Sequence, residues 1–187
     1  HTRSSLIHID KIQMRSLIAY LLSYPTLCYN QILCRIFSWR NWWDRIDEHM
    51  IIGALPMKRH VKPLHDEGIR AVVNTCNEYS GPIEHYDEHG IDQLRVPTVD
   101  FTPPSLEHVQ QAVQYINAQI NDGKGVYVHC KAGRGRSATV VMCWLLDNTN
   151  MSPQEAQQHM QQIRPHVLKT VYQRDVVQEF YKTKQPE

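Results

Sequence analysis

One segment constrains this chain of 187 residues more than any other. It begins with the apolar run Val126–His129, passes through Cys130 into a loop with two glycines, and ends in the largely apolar run Ser137–Leu146. Short runs rich in β-branched residues predict buried strands, and longer apolar runs predict buried helices. The sequence therefore predicts a strand, a tight loop and a buried helix, with the spacing Cys-x5-Arg between Cys130 and Arg136.

A loop of this kind is suited to binding a phosphate. Its backbone N–H groups can surround an anion, and the dipole of the following helix adds partial positive charge. A cysteine held there has a lowered pKa and acts as a nucleophile in its thiolate form. Arg136 can hold two phosphoryl oxygens, and the hydroxyl of Ser137 is expected to bond the sulfur of Cys130 and help it leave. The predicted phosphate-binding residues are Lys131, Ala132, Gly133, Arg134, Gly135 and Arg136.

The same glycines allow a competing interpretation. Gly133, Gly135 and Ala138 also fit the dinucleotide-binding pattern G-x-G-x-x-A. That pattern expects an acidic residue about 20 positions further on, at the end of a second strand. The nearest candidate, Asp147, comes too early and follows a predicted helix. The dinucleotide interpretation also leaves the cysteine and the arginine of the loop without a role, so phosphate chemistry is favoured.

Strands and helices alternate along the remainder of the chain. Further strands are predicted at Met50–Ile52, Ile69–Asn74 and Gln93–Val96, and helices at Ser105–Asp122, Pro153–Arg164 and Thr170–Lys182. This alternation predicts an α/β domain with a central, mostly parallel sheet flanked by helices. We place that domain at residues 41–187, preceded by a helical extension at residues 1–40.

The extension contains an apolar run, Leu17–Phe37, with basic residues on both sides. Pro25 and several polar residues interrupt it, so it does not match the roughly 20 apolar residues of a spanning helix. It predicts either a membrane-surface anchor or an amphipathic helix that packs on the domain. Trp39, Trp42 and Trp43 follow. They lie at a lipid interface or against the core, and the core is favoured for the last two.

Charge, cysteine content and histidine spacing exclude other classes. The chain has 20 basic and 19 acidic residues, a balance that does not favour nucleic-acid binding. Five cysteines with no Cys-x-x-Cys pair argue against a disulfide scaffold. His85 and His89 could share a helix face, but no further ligand has a typical metal-site spacing. We therefore expect no metal and no nucleic-acid partner.

The segment from His129 to Ser137 resembles the pattern His-Cys-x5-Arg-Ser/Thr of the protein tyrosine phosphatase superfamily. The resemblance implies a two-step mechanism through a phospho-cysteine, without a cofactor. Smaller members of the superfamily carry their general acid on a mobile loop some thirty residues before the cysteine, which points to Asp100. The alternatives are that Asp100 caps a turn or helix, or that Asp92 is the acid. Asp92 precedes its strand and is expected at the opposite edge of the sheet.

A second cysteine has a possible redox role by the same resemblance. Cys76 lies just after the strand Ile69–Asn74, and adjacent parallel strands end on the same side of a sheet. Some members of the superfamily form a reversible disulfide between such a cysteine and the nucleophile. Cys76 is therefore a candidate to protect Cys130 from overoxidation. The alternative is that it is a small buried apolar residue.

The chain is short and carries Val99-Asp100-Phe101 in place of a Trp-Pro-Asp loop, so it looks like a dual-specificity phosphatase. The basic Lys131 and Arg134 resemble those of phospholipid and phosphoinositide phosphatases. Further motifs are Tyr24-Pro25-Thr26-Leu27, Trp42-x-x-Arg45-Ile46-Asp47, Gly53-Ala54-Leu55-Pro56 and Thr98-Val99-Asp100. Together they resemble the mitochondrial dual-specificity phosphatases that act on phosphatidylglycerophosphate, a step toward cardiolipin.

This resemblance implies a phospholipid substrate at a membrane surface, and a location at the mitochondrial inner membrane. Three alternatives remain at this point. The chain could be a protein phosphatase for phosphotyrosine or phosphothreonine, a phosphoinositide phosphatase, or a module that binds phosphate without hydrolysing it.

Overall fold

A computed structural model describes residues 40–184. The apolar run Leu17–Phe37, Trp39 and the predicted helical extension lie outside the described residues. The strands of the described part are β1 (Trp43–Arg45), β2 (Met50–Gly53), β3 (Ile69–Cys76), β4 (Asp92–Thr98) and β5 (Gly125–His129). Its α-helices are α1 (Lys58–Asp66), α2 (Ile83–Glu88), α3 (Leu106–Asn121), α4 (Arg136–Asn148), α5 (Pro153–Ile163) and α6 (Asp175–Lys182).

The five strands form one sheet in the order β1-β2-β5-β3-β4. The β1 strand runs antiparallel to β2, and the other pairs are parallel. The prediction of a mostly parallel central sheet is thus confirmed. Because β2, β3, β4 and β5 run in one direction, the loops that follow them meet at one edge of the sheet.

Helices cover both faces of the sheet, and the strand side chains divide between two apolar clusters. In β5, Val126 and Val128 face the larger cluster, which α3, α4, α5 and α6 complete. Tyr127 points the opposite way, into a smaller cluster under α1 and α2. Successive strand side chains alternate between faces, so a strand covered on both sides must be apolar throughout. This explains the continuous apolar runs in the sequence.

The predicted starts of two helices agree with the structure. The hydroxyl of Ser105 accepts a hydrogen bond from the backbone N–H of His108 at 3.2 Å and caps α3. At the start of α5, Ser152 and Glu155 form a reciprocal capping box. Every residue of α4 from Arg136 to Leu146 is buried, as its apolar sequence predicts.

The prediction of one continuous helix over Thr170–Lys182 is wrong. Thr170–Lys182 is divided into a 3₁₀ turn, Val171–Gln173, and helix α6. Arg174 separates them with an extended backbone at ψ 135°. Its guanidinium reaches back to the carbonyl of Gly135 at 3.3 Å, a tertiary contact that local periodicity does not encode.

Two short elements were not expected from the sequence. Helix α1 contains Pro63 and buries only Val61 and Leu64, so its apolar stripe is weak. Strand β1 has three residues at the sheet edge. Both elements contact the half-buried indole of Trp43, the first residue of β1. Its Nε1 donates to the carboxylate of Glu67, just after α1, at 2.9 Å.

Trp42 and Trp43 pack against the domain. The Nε1 of Trp42 donates to the carbonyl of Leu55 at 3.1 Å, and the ring of Trp43 meets that of Tyr127 edge-on at 6.2 Å. This agrees with the interpretation favoured from the sequence. Within residues 40–184, no helix has the length and apolar character needed to cross a bilayer.

Candidate active site

The loop Cys130–Gly135 joins β5 to α4 at the edge where the parallel strands end. Gly133 has a φ of 65°, in the left-handed region. A Cβ at this position would lie 2.5 Å from the carbonyl carbon and oxygen of Gly53, the last residue of β2. Only glycine satisfies both the backbone angle and the close contact. The predicted need for glycine in this loop is therefore explained at Gly133.

Two arginines from the last quarter of the chain hold the loop through its carbonyl groups. Arg164 is buried and donates to the carbonyls of Gly133 at 2.9 Å and Ala132 at 3.2 Å. Arg174 donates to the carbonyl of Gly135 at 3.3 Å. Sequence reasoning missed both arginines because they lie 31 and 39 residues from their partners in the loop.

Arg164 also links the loop to the start of the domain. Its Nη1 pairs with Asp44 of β1 at 2.5 Å and donates to the carbonyl of Asn41 at 3.3 Å. A buried guanidinium needs such partners, since an unpaired buried charge is costly. The loop is thus braced from behind by an ion pair that connects β1 to the end of α5.

Cys130 lies at the centre of the loop with its thiol buried. The hydroxyl of Ser137 donates to its sulfur at 3.3 Å. Burial alone would raise the pKa of the thiol. The charge of Arg136, the Ser137 hydroxyl and the backbone N–H groups of Ser137 and Arg134 outweigh it, and the pKa falls to about 7. A large fraction of Cys130 is therefore thiolate at neutral pH.

Arg136 opens α4 and is only 3% exposed. Its two terminal nitrogens donate to the two carboxylate oxygens of Glu78, each at 2.9 Å, and its Nη1 also donates to the carbonyl of Thr98 at 2.9 Å. Burial opposes the charge of Glu78, but the bonds and charge of Arg136 lower the pKa of this carboxyl below its ordinary value. The pair fixes the planar guanidinium in one orientation.

Glu78 is a site residue that sequence reasoning missed. It lies in the loop after β3, 58 residues before Arg136 in the chain. No spacing rule connects the two. The only available signal was its position two residues beyond a predicted site residue, Cys76, at the carboxyl end of a parallel strand.

Asp100 lies in the loop between β4 and α3, facing the loop Cys130–Gly135. Its carboxylate pairs with Arg136 at 2.9 Å and with Lys131 at 3.3 Å. The cap of α3 is Ser105, so Asp100 does not serve as that cap. Its rival, Asp92, is the first residue of β4 and lies at the opposite edge of the sheet, as expected.

Cys76 ends β3, the strand adjacent to β5. Asn74 pairs with His129 in the register of these strands, so Cys76 and Cys130 leave the sheet at the same edge. Cys76 is fully buried, and burial raises the pKa of its thiol well above the ordinary value. Cys143, within α4, is buried as well, and all three described cysteines are free thiols. The disulfide between Cys76 and Cys130 stays a prediction.

A cleft of about 310 Å³ opens above the loop. Its cationic lining residues are Lys131, Arg134, Arg136 and Arg174. Two large, exposed apolar side chains also line it, Phe101 with 75% of its surface exposed and Leu168 with 38%. Phe101 has a φ of 65°, a strained backbone for a residue with a side chain. The site thus combines a cationic floor with exposed apolar side chains.

The structure gives no support to the dinucleotide-binding interpretation of the loop glycines or to a metal site at His85 and His89. Asp147, the candidate for a dinucleotide ribose, lies inside α4 and not at the end of a strand. His85 lies in α2 and His89 caps its end. In the part of the chain that the structure describes, no group of three or more His, Cys, Asp or Glu side chains is arranged to hold a metal.

Comparison with known proteins agrees with this geometry. The family description "Dual specificity phosphatase, catalytic domain" matches residues 52–183. Phosphatidylglycerophosphate phosphatase PTPMT2 of Arabidopsis thaliana is 39% identical over 169 residues, which are 89% of this chain and 74% of that protein. Phosphatidylglycerophosphatase and protein-tyrosine phosphatase 1 of Mus musculus is 38% identical over 174 residues, 88% of this chain and 90% of that protein.

The fold also matches a solved structure. A crystal structure of PTPMT1 in complex with PI(5)P superimposes with a TM-score of 0.70 and 35% sequence identity, covering 76% of this chain and 96% of that one. The predicted fold class and enzyme class are confirmed. The chain belongs to the dual-specificity phosphatase family and is a phosphoric monoester hydrolase of the protein tyrosine phosphatase superfamily.

Proposed function

We propose that this chain removes the terminal phosphate of phosphatidylglycerophosphate at a membrane surface. The product is phosphatidylglycerol, and its formation is a step toward cardiolipin. Relatives from Arabidopsis thaliana and Mus musculus, 39% and 38% identical over most of this chain, carry this activity in their names. The single observation that carries the proposal is the composition of the cleft, where cations surround the nucleophile and apolar side chains are exposed beside them.

This composition suits an anionic lipid. Lys131, Arg134 and Arg174 add positive charge beyond what Arg136 needs to bind one phosphoryl group. Exposed apolar side chains beside a cationic site favour a ligand that is itself amphipathic, or a bilayer surface. Phe101 is the most exposed of them.

The first chemical step uses Cys130 as the nucleophile and Asp100 as the general acid. In this structure the carboxylate of Asp100 contacts Arg136 and Lys131. Substrate phosphate displaces it from these two cations. The thiolate attacks phosphorus, and the bond from phosphorus to the glycerol oxygen breaks. Asp100, which takes up a proton from the solvent once it has left these two cations, passes that proton to the glycerol oxygen. The N–H groups of the loop and the fork of Arg136 hold the phosphoryl oxygens.

The second step releases phosphate and regenerates the thiolate. A water molecule attacks the phosphorus of the phospho-cysteine and gives a proton to the carboxylate of Asp100. The sulfur–phosphorus bond breaks, and the hydroxyl of Ser137, 3.3 Å from the sulfur of Cys130, stabilises the departing thiolate. Inorganic phosphate leaves, and no cofactor takes part in either step.

The location and the domain arrangement are part of the proposal. We place the enzyme at the mitochondrial inner membrane, with residues 41–187 as the catalytic domain and residues 1–40 as a membrane-associating segment. A variant without residues 1–40 tests the anchor in a vesicle-binding assay. Equal binding and equal lipid turnover with and without the segment would remove its anchoring role.

The experiment for the reaction compares phosphatidylglycerophosphate in vesicles, PI(5)P in vesicles and phosphotyrosine or phosphothreonine peptides. We expect the highest kcat/KM for phosphatidylglycerophosphate. PI(5)P is included because a related structure contains it. Faster turnover of PI(5)P would assign a phosphoinositide phosphatase instead, and faster turnover of peptides would assign a protein phosphatase.

Two variants test the assigned roles. Cys130→Ser abolishes turnover of every substrate, because the nucleophile is lost. Asp100→Asn slows turnover by about 10²- to 10⁴-fold for alkyl phosphates, whose leaving groups need the proton, and much less for aryl phosphates. Asp92→Asn is the matched control, since this aspartate lies at the far edge of the sheet and should keep full activity. Normal activity of Cys130→Ser would refute the mechanism.

A further inference from the structure

A second cleft, of about 570 Å³, adjoins the cleft that contains Cys130. Arg134 and Leu168 line both clefts, so a single ridge separates them. Beyond the ridge, Arg40, His166 and Lys169 line the second cleft. Of the described residues that line it, none is acidic. The second cleft therefore has the charge of an anion site.

The ridge between the clefts is held in place from both sides. The Nε of Arg134 donates to the carbonyl of His166 at 2.8 Å. The backbone N–H of Leu168 donates to the carbonyl of Arg134 at 2.9 Å. These bonds tie the nucleophile loop to residues 165–170. A ligand that crosses the ridge meets a fixed surface.

Two further observations concern the charged groups of the second cleft. Burial, and then the charges of Arg164, Arg40 and Arg134, lower the pKa of His166 to about 3. The Nη1 of Arg40 is buried, yet no atom of residues 40–184 accepts a hydrogen bond from it. A buried donor without an acceptor is costly, so an anionic oxygen at this position would stabilise it.

We infer that the second cleft binds a second phosphate of the substrate, the phosphodiester that stays on the lipid after hydrolysis. This inference rests on the proposed function. One glycerol unit joins the two phosphates of phosphatidylglycerophosphate. With the terminal phosphate in the loop of Cys130, the diester must lie close by, and the ridge of Arg134 and Leu168 is the shared wall. Arg40 and Lys169 supply its counter-charge.

The experiment compares two charge-matched double variants. The test variant is Arg40→Ala with Lys169→Ala, and the control is Arg59→Ala with Lys62→Ala, two exposed cations of α1 that line neither cleft. Three substrates are used: phosphatidylglycerophosphate in vesicles, its deacylated headgroup in solution, and para-nitrophenyl phosphate. The headgroup keeps both phosphates without a bilayer, and the aryl phosphate has only one. Turnover of the aryl phosphate also reports that each variant is folded.

We expect the ratio of kcat/KM for the headgroup to that for the aryl phosphate to fall about tenfold in the test variant, mainly through KM. This corresponds to about 1.4 kcal/mol. The control keeps the wild-type ratio. An unchanged ratio in the test variant overturns the inference. So does a loss seen only on vesicles, which would assign these cations to the membrane surface. Failure of the proposed function is separate, since it appears as poor turnover of the lipid by the wild type.

Discussion

The hydroxyl of Ser137 allows a direct test of how the loop lowers the pKa of Cys130. Ser137→Ala removes the donor that lies 3.3 Å from the sulfur of Cys130, in a site where both residues are buried. A hydrogen bond to a charged group contributes about 1.5–3 kcal/mol. One pKa unit corresponds to about 1.4 kcal/mol. The pKa of Cys130 should therefore rise by roughly one to two units from its value of about 7.

The assay is the rate of alkylation by iodoacetamide as a function of pH. The thiolate is the reactive form, so the rate rises with pH through the pKa. The wild type should show a midpoint near pH 7, and Ser137→Ala a midpoint roughly one to two units higher. At pH 7 the variant then has about five- to fifty-fold less thiolate than the wild type, and its turnover falls by at least that factor. Breakdown of the phospho-cysteine slows as well, because the departing sulfur loses its donor.

The control removes a similar hydroxyl from another helix start. Ser105→Ala deletes the cap of α3, where Ser105 accepts from the N–H of His108. It should lower the free energy of unfolding by about 1 kcal/mol and leave the alkylation midpoint near that of the wild type. If the midpoint of Ser137→Ala also stays near pH 7, the hydroxyl does not stabilise the thiolate, and the reasoning is refuted.

Three further predictions concern the residues around the loop. Glu78→Gln weakens the paired hydrogen bonds that orient Arg136. Inhibition by vanadate should therefore weaken, and kcat/KM should fall about tenfold. Unchanged values would show that Glu78 does not orient this arginine. Under mild peroxide, the wild type should recover activity on thiol reduction, whereas Cys76→Ser should lose it permanently; equal recovery would exclude the disulfide. Burial lowers the pKa of His129 from its ordinary value of 6.5 to about 3. Between pH 6.5 and pH 3 the unfolded chain therefore binds a proton at this histidine, and the folded chain does not. Between these pH values stability should fall with falling pH by up to about 1.4 kcal/mol per unit from this group, and urea denaturation at pH 6.5 and pH 5 checks it.

The loop Cys130–Gly135, between a strand and a helix, and the fold class could be predicted from the sequence because their signals are local. Cys130, Arg136 and Ser137 are held by one strand, one short loop and one helix, so their spacing in the chain already sets their spacing in space. The caps Ser105 and Ser152 also act within one helical turn. Asp100 is intermediate, because the parallel sheet brings the ends of β4 and β5 to one edge.

Only the tertiary structure decided what surrounds that loop. Glu78 orients Arg136 from 58 residues away, and Arg164 and Arg174 brace the loop carbonyls from 31 and 39 residues away. The second cleft likewise joins the start of the domain to the turn after α5. Such partners follow from how helices and strands pack, and packing leaves no periodicity in the chain. The sequence by itself determined the Cys-x5-Arg loop and its place between a strand and a helix, while the packed fold determined which charged groups surround Cys130 and Arg136.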